Sequence, residues 1–452
     1  MSGLDELSRE ELIAIVLEQH QQICDLQAEV EALRSQLGEG KGNSVPPFIK
    51  PSRQQRGAEE RRERKKRTES FVRLRDIPTE EVKHAVEECP DCERRLSGGW
   101  VHDRRQVIEI PETPIRIIEH ILIARRCGVC DKIHIPKLGV ADGVLGKQRI
   151  GIGLMSLIAT LSIANRIPQR MVQRLLMGLY GVHISVGEIS GILQKVGECS
   201  QGATQSILRE IRGSPNANAD ETGWREDGDN GYLWSVSTPN ARYFQFDHSR
   251  ASAVIQRILG YCFCGVLGCD FYGAYNFYSG PIQRCWVHML RDLKKLAEAH
   301  SEDRRVLEWV ELVKGVYQMA GKIAKRGFTK DVRVRLRQEL ETKLLAIAQP
   351  YLTDKTAPQH VLAKRIDRHL GELFTFVQYP GCPSGNNAAE RAIRPAVIAR
   401  KVSGGTRSPN GSRTRTSLMT VFGTWTVQGK DLMKSCCEMI ISSQNQSQPT
   451  LI

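Results

Sequence analysis

Gly265-Val-Leu-Gly-Cys-Asp270 is a short apolar run that ends on a carboxylate, the pattern of a buried strand whose last residue emerges at a sheet edge. Working outward from it gives the fold. Upstream lie three further strand-like runs, Asn216 to Asp220, Tyr232 to Ser237 and Tyr243 to Phe246, followed by a helical stretch from about Ala251 to Leu259. Downstream, Arg284-Cys-Trp-Val-His288 has the pattern of one more short strand. Three antiparallel-type strands, a helix and then a buried strand is the layout of an α/β sheet. Residues 289–378 are charged and helical in pattern, so they read as an all-helical insertion. After Pro383-Ser-Gly a helix begins at Asn386, and the tail past Ile441 is rich in Ser, Gln and Asn and reads as disordered.

The region before the sheet is modular. Leu12, Val16, Gln19, Ile23, Leu26, Val30, Leu33 and Leu37 alternate three and four residues apart, a heptad seam that needs a partner helix. A turn-rich breaker, Gly38 to Pro47, stops it, and a densely basic linker follows with Arg61-Arg62-Glu63-Arg64-Lys65-Lys66-Arg67 at its centre. Cys89-Pro-Asp-Cys92 and Cys127-Gly-Val-Cys130 are two Cys-x-x-Cys pairs with 34 residues between them. Ile108, Ile110, Ile115, Ile117, Ile121 and Ile123 alternate with other residues there as strands do, and strands can bring the two pairs together as a tetrahedral four-thiolate Zn²⁺ site. Four incidental thiols or two redox pairs are the bland alternative. Between 147 and 200, Ile167-Pro168 opens a helix through Leu179, Gly181 makes a turn and Ser185 caps a second helix through Val196. That pair fits a helix-turn-helix with Glu188, Ser190 and Gln194 on the second helix, and equally an ordinary helical hairpin. The resulting plan is a zipper-like helix over 1–40, a basic linker over 41–75, a zinc-binding domain over 76–140, a helical region over 141–212, a catalytic domain over 213–435 and a tail over 436–452.

Lys and Arg number 64 against 51 acids, a net charge of +13, which points to an acidic polymer as partner, nucleic acid before membrane. The acidic start, Met1 to Glu11, does not read as a signal peptide, and the apolar stretch from Arg149 to Arg166 is broken by Gly151, Gly153, Ser156 and Ser162, short of the roughly 20 residues that span a bilayer. Thirteen cysteines without an export signal suggest reduced thiols or metal ligation. A cytoplasmic, nucleoid-associated protein is expected.

Three acids stand apart by position. Asp220 falls at the end of a short strand, Asp270 ends the buried one, and Glu390 lies in the first turn of the helix that starts at Asn386. Carboxylates gathered at one sheet edge repel one another, so their convergence requires a cation, and hard oxygen donors favour Mg²⁺ or Mn²⁺. Glu221 is the poorer ligand, because neighbours on a strand point to opposite faces.

The runs Asp220-Glu-Thr-Gly-Trp, Asp270-Phe-Tyr-Gly-Ala-Tyr, Cys285-Trp-Val-His288 and Asn386-Asn-Ala-Ala-Glu390-Arg-Ala-Ile-Arg-Pro395 resemble the DDE transposases of bacterial insertion sequences, and among them the insertion sequence sixty-six family. The resemblance implies an RNase H-like catalytic domain with a helical insertion, preceded by a zinc ribbon and an N-terminal coiled-coil helix. It makes Asp220, Asp270 and Glu390 the catalytic metal ligands, with Cys89, Cys92, Cys127 and Cys130 on structural zinc. It further implies DNA cleavage at the element's terminal inverted repeats followed by strand transfer into target DNA. Arg391 and Arg394 follow the last acid, and with Lys401 they are candidates to hold DNA phosphate. A homodimer or larger assembly is expected, with companion proteins of the element as further partners and no membrane. A non-catalytic DNA-binding or regulatory relative and an RNase H-like nuclease are the alternatives.

Overall fold

The computed structural model describes residues 77, 81–98, 100–102, 115–146 and 148–445. The zipper helix of 1–40 and the basic linker of 41–75 lie outside them, as do Ile108 and Ile110. The chain divides into two units, Met1–Ile110 and Pro111–Ile452.

In the first unit the described feature is a knuckle. The Cys89 amide donates to Arg94 O and the Glu93 amide donates back to Cys89 O. Glu93 takes a left-handed backbone (φ 57°), which turns the chain sharply after the second thiol.

The second unit opens with the same device. The Cys127 amide donates to Lys132 O, the Asp131 amide donates to Cys127 O, and Asp131 is left-handed at φ 54°. Strands β1 (Arg125–Arg126) and β2 (Ile133–His134) pair antiparallel on either side of it. The longer strands expected around it do not form among the described residues: 115–124 is irregular, and Ile115, Ile117, Ile121 and Ile123 are exposed. Alternation marks a strand only where a layer exists to bury one face, and the described part of this stretch has none.

Four helices follow: α1 (Ile152–Ala159), α2 (Gln169–Tyr180), α3 (Val186–Cys199) and α4 (Gln201–Arg212). Pro168 precedes α2, Gly181 closes it in a left-handed turn, and Ser185 Oγ accepts the Glu188 amide at 3.0 Å to cap α3. Ile189, Ile192, Leu193 and Val196 of α3 are buried, so the second helix is built into the core as part of a helical hairpin.

The sheet comprises β3 (Asn216–Glu226), β4 (Asp229–Ser237), β5 (Arg242–Asp247), β6 (Val266–Cys269) and β7 (Ile282–Arg284), with α5 (Ser252–Leu259) between β5 and β6. Its order is β5-β4-β3-β6-β7, antiparallel through β5-β4-β3 and parallel through β3-β6-β7. Left-handed Asp227 and Gly228 make the two-residue β3–β4 turn. Asp220 is therefore in the middle of a strand rather than at its end. The parallel pairing with β6 stops at Asn218, whereas the antiparallel pairing with β4 carries β3 on to Glu226.

Helices α6 (Trp286–Ala299), α7 (Arg304–Ala324), α8 (Lys330–Ala348) and α9 (His360–Arg368) and the short turns α10 (Leu370–Leu373) and α11 (Thr375–Gln378) form the insertion. Trp286 to His288 belong to the first turn of α6, not to a strand: β7 ends at Arg284 and Cys285 is the extended residue that starts the helix. The insertion has its own core, including Trp286, Val313, Leu344, Ile366 and Phe374. Helices α12 (Asn387–Ser403), α13 (Pro409–Val427) and α14 (Leu432–Asn445) complete the unit. Side chains of α1–α5 and α12–α14 share one core with the sheet, so the helical region before 212 is continuous with it. Cys436 and Ile440 are buried in that core, which makes the start of the expected tail a packed helix.

Candidate active site

The last parallel pair between β3 and β6 is Asn218 with Gly268. Two residues further along each chain come Asp220 and Asp270, so register places both at the carboxyl end of the parallel pair. Asp220 Oδ1 accepts the Glu221 amide at 3.0 Å, and Asp270 Oδ1 accepts the Tyr272 amide at 2.9 Å. Glu390 arrives from the first turn of α12, and the start of that helix is fixed by Asn386. This buried side chain donates from Nδ2 to Ala219 O (2.8 Å) and accepts at Oδ1 from Asn218 Nδ2 (3.0 Å). Its backbone N–H points at Cys285 Sγ (3.0 Å), and its carbonyl accepts the Glu390 amide (3.1 Å). One asparagine thus joins the strand of Asp220, the helix of Glu390 and the thiol after β7. Gly268 is a condition of this: a Cβ there would stand 2.3 Å from Asn218 Nδ2.

Burial pushes the Asp220 carboxyl up to about 7, and the negative charges of Glu221, Asp270 and Glu390 push the same way. Asp220 thus feels the negative charge of both other acids, although the three do not form a group of ligand atoms within 4.8 Å of one another among the described residues. Glu221 is committed elsewhere. Its side chain is 2% exposed, takes Arg250 at 2.7 Å and accepts the Tyr275 hydroxyl. Adjacent side chains on a strand face opposite ways, which separates it from Asp220.

The tightest group of potential ligand atoms among the described residues is a different one. Cys285 Sγ, a His288 ring nitrogen and a Glu390 oxygen lie within 4.8 Å of one another, and Asp220 and Asp270 are outside this set. Burial opposes ionisation of Cys285, but hydrogen bonds from His288 and the Asn386 amide outweigh it and hold the thiol below its ordinary pKa. The hydrogen bond to Cys285 raises the His288 imidazole against the effect of burial, and the charges of Glu390 and Asp270 add to the rise. At the two knuckles, backbone amides within each loop lower the Cys89 and Cys127 thiols, Asp91 leading at the first and Cys130 at the second.

Arg284, completely buried, backs the site from β7. It donates to Asp270 O at 2.9 Å, to Glu372 Oε2 at 2.5 Å and to Asn276 Oδ1 at 2.5 Å. Neither Arg284 nor Asn386 stands out as functional in the sequence; the available signal for Arg284 was a charge placed directly after a strand-like pair, and for Asn386 its spacing of four from Glu390. Arg391, Arg394 and Lys401 are exposed on α12. Arg400 instead points inward, to Thr222 Oγ1 and Gly223 O.

No described helix is long and apolar enough to cross a membrane. A family model described as "Transposase IS66 family" matches residues 147–414. An uncharacterized protein, y4jO, of Sinorhizobium fredii (strain NBRC 101917 / NGR234) is 28% identical over 168 residues, 37% of this chain and 47% of that relative's length. The chain thus spans about half of the curated relative it matches.

Proposed function

The chain belongs to the IS66 family of transposases, and from that premise we propose that it cleaves DNA at the ends of an insertion sequence and transfers the strand into target DNA. One observation supports the reading: burial, together with the negative charges of Glu221, of Asp270 after β6 and of Glu390 on α12, pushes the Asp220 carboxyl of β3 up to about 7. The strand order, antiparallel on one side of β3 and parallel on the other, supports the RNase H-like reading of the domain.

Asp220, Asp270 and Glu390 are the proposed holders of Mg²⁺ or Mn²⁺, and their oxygen donors and mutual repulsion suit such an ion. When bound, the ion supplies charge neutralisation at the phosphodiester that side chains alone do not provide. The chain's own task is positioning. Asn386 holds the Glu390 helix to the Asp220 strand, and Arg284 holds the backbone carbonyl of Asp270. Arg391, Arg394 and Lys401 are the proposed phosphate contacts, since they are exposed cations on the helix that carries the last acid.

Cys89, Cys92, Cys127 and Cys130 are the proposed zinc thiolates. Each knuckle, taken by itself, has both thiols on a tight turn with amides that favour the thiolate. The zipper helix of residues 1–40 is the proposed dimer contact, and companion proteins of the element remain proposed partners. Purified full-length chain with Mg²⁺ is expected to nick DNA bearing the element's terminal repeats, and Asp270→Asn to abolish the nicking. Equal cutting by that variant would refute the catalytic assignment, and salt-sensitive binding without any cutting would favour the non-catalytic reading.

A further inference from the structure

We propose that Cys285, His288 and Glu390 form a second cation site, one that takes a borderline-soft transition ion such as Zn²⁺ rather than Mg²⁺. Cys285 is the residue before the first turn of α6 and His288 is the third within it, so the Cys-x-x-His spacing brings thiol and imidazole to one side of a helix start. Glu390 closes the group from α12, and all three ligand atoms lie within 4.8 Å of one another. Ligands of one zinc ion, with bonds of about 2.0–2.3 Å, stand roughly 3.3–3.8 Å apart, so side-chain movements of about 1 Å bring these atoms into range.

The group also has unmet bonding. His288 Nδ1 and Glu390 Oε1 are buried atoms without a hydrogen-bond partner. His288 Nε2 is 3.7 Å from Glu390 Oε1, beyond hydrogen-bond length. Buried polar atoms in proteins are nearly always satisfied, so an orphan on each of two residues grouped with a buried thiol marks a place for a third species. The donor set selects it. A thiolate with an imidazole and a carboxylate suits Zn²⁺ or Co²⁺, whereas Mg²⁺ takes oxygen alone. Cys285 is placed to act as thiolate, at a helix N-terminus and receiving the Asn386 amide at 3.0 Å.

Glu390 belongs to both sites, so filling the soft site withdraws an oxygen donor from the pair Asp220 and Asp270. Zn²⁺ then opposes Mg²⁺-dependent cleavage, a consequence that rests on the catalytic reading, whereas the binding itself does not.

The test is Co²⁺ titration of the metal-stripped full-length chain, read by the sulfur-to-cobalt absorption that an all-carboxylate site cannot produce. The unaltered chain is expected to bind about one equivalent more with this absorption than Cys285→Ser. His288→Asn is expected to weaken binding of that equivalent at least about tenfold while Asp220→Asn leaves it in place. If Cys285→Ser fails to fold, by loss of its thermal transition, the His288→Asn comparison decides. Equal thiolate-bound cobalt in the unaltered chain and in His288→Asn, or in a folded Cys285→Ser, overturns the proposal. Failure of the catalytic reading would show separately, as cleavage that survives Asp270→Asn.

Discussion

The sheet-centred core and the core of the helical insertion divide the work of this molecule unequally. The sheet core surrounds β3 and β6 and sends Asp220 and Asp270 to the carboxyl end of their parallel pair. The insertion supplies neither aspartate, and its apolar interior is organised around Trp286, which stacks on Tyr317 at 4.8 Å and packs against Phe374. Yet the site depends on it. The Trp286 indole and the Gln283 amide both donate to Leu373 O, Thr375 Oγ1 donates to Ile282 O, and the Trp286 amide donates to Ser384 O. These bonds fasten the far end of the insertion beside β7, so that Asn386 meets Asn218 and Ala219 one turn before Glu390. One core presents charge; the other closes the chain path that delivers the third acid.

That division can be broken experimentally. The largest effect is expected from Asp270→Asn on the sheet side: a loss of DNA cleavage of at least about 10⁴-fold, roughly 5.5 kcal/mol of barrier, with the thermal transition hardly moved. Next comes Arg284→Met at the seam. It removes the buried member of a pair whose other member, Glu372, is 31% exposed, and leaves Asp270 O and Asn276 without their donor, so chemical denaturation should register a loss of about 3 kcal/mol. A seam variant that lost activity but no stability would show that the insertion acts on the chemistry directly.

Asp220→Asn sharpens the electrostatic half. The native carboxyl near 7, against an ordinary value of 3.8, means that the folded chain holds this proton more tightly than the unfolded chain. Its contribution to stability is therefore greatest below pH 4 and is lost as pH rises toward 7. In chelator at pH 8, Asp220→Asn should gain about 2 kcal/mol over the unaltered chain, and the gain should vanish at pH 4. The smallest effect is Ser185→Ala, loss of the cap on α3, at about 1 kcal/mol with cleavage unchanged.

Much of the frame was legible because local rules wrote it. Pro168, Gly181 and Ser185 bounded two helices through backbone geometry and capping, and the run from Tyr232 to Ser237 was strand-like in residue type and is buried on both faces from Leu233 onward. Where pairing partners decided the outcome, local pattern fell short. Gly223 argues against a strand by residue type, yet β4 holds it in the sheet as the partner of Tyr232. The isoleucines from 115 to 123 have the opposite history: the alternation is present, and among the described residues no strand forms there. Cys285-x-x-His288 looked like a strand because the apolar run Cys285-Trp286-Val287 follows β7 directly, and only the turn of α6 puts its thiol and imidazole on one side.

From the sequence alone came the three acids as the residues to watch and the order of strands and insertion along the chain, since charge type and hydrophobic period are properties of the chain itself. Tertiary structure alone decided that Glu221 is spent on Arg250, that Arg284 stands behind Asp270, that Asn386 ties helix to strand, and that Glu390 also faces a thiol and an imidazole. Those facts depend on which atoms approach across intervening chain, from a separation of 14 residues for Asp270 and Arg284 to 167 for Ala219 and Asn386, and such a distance is set by packing rather than by any neighbour in sequence.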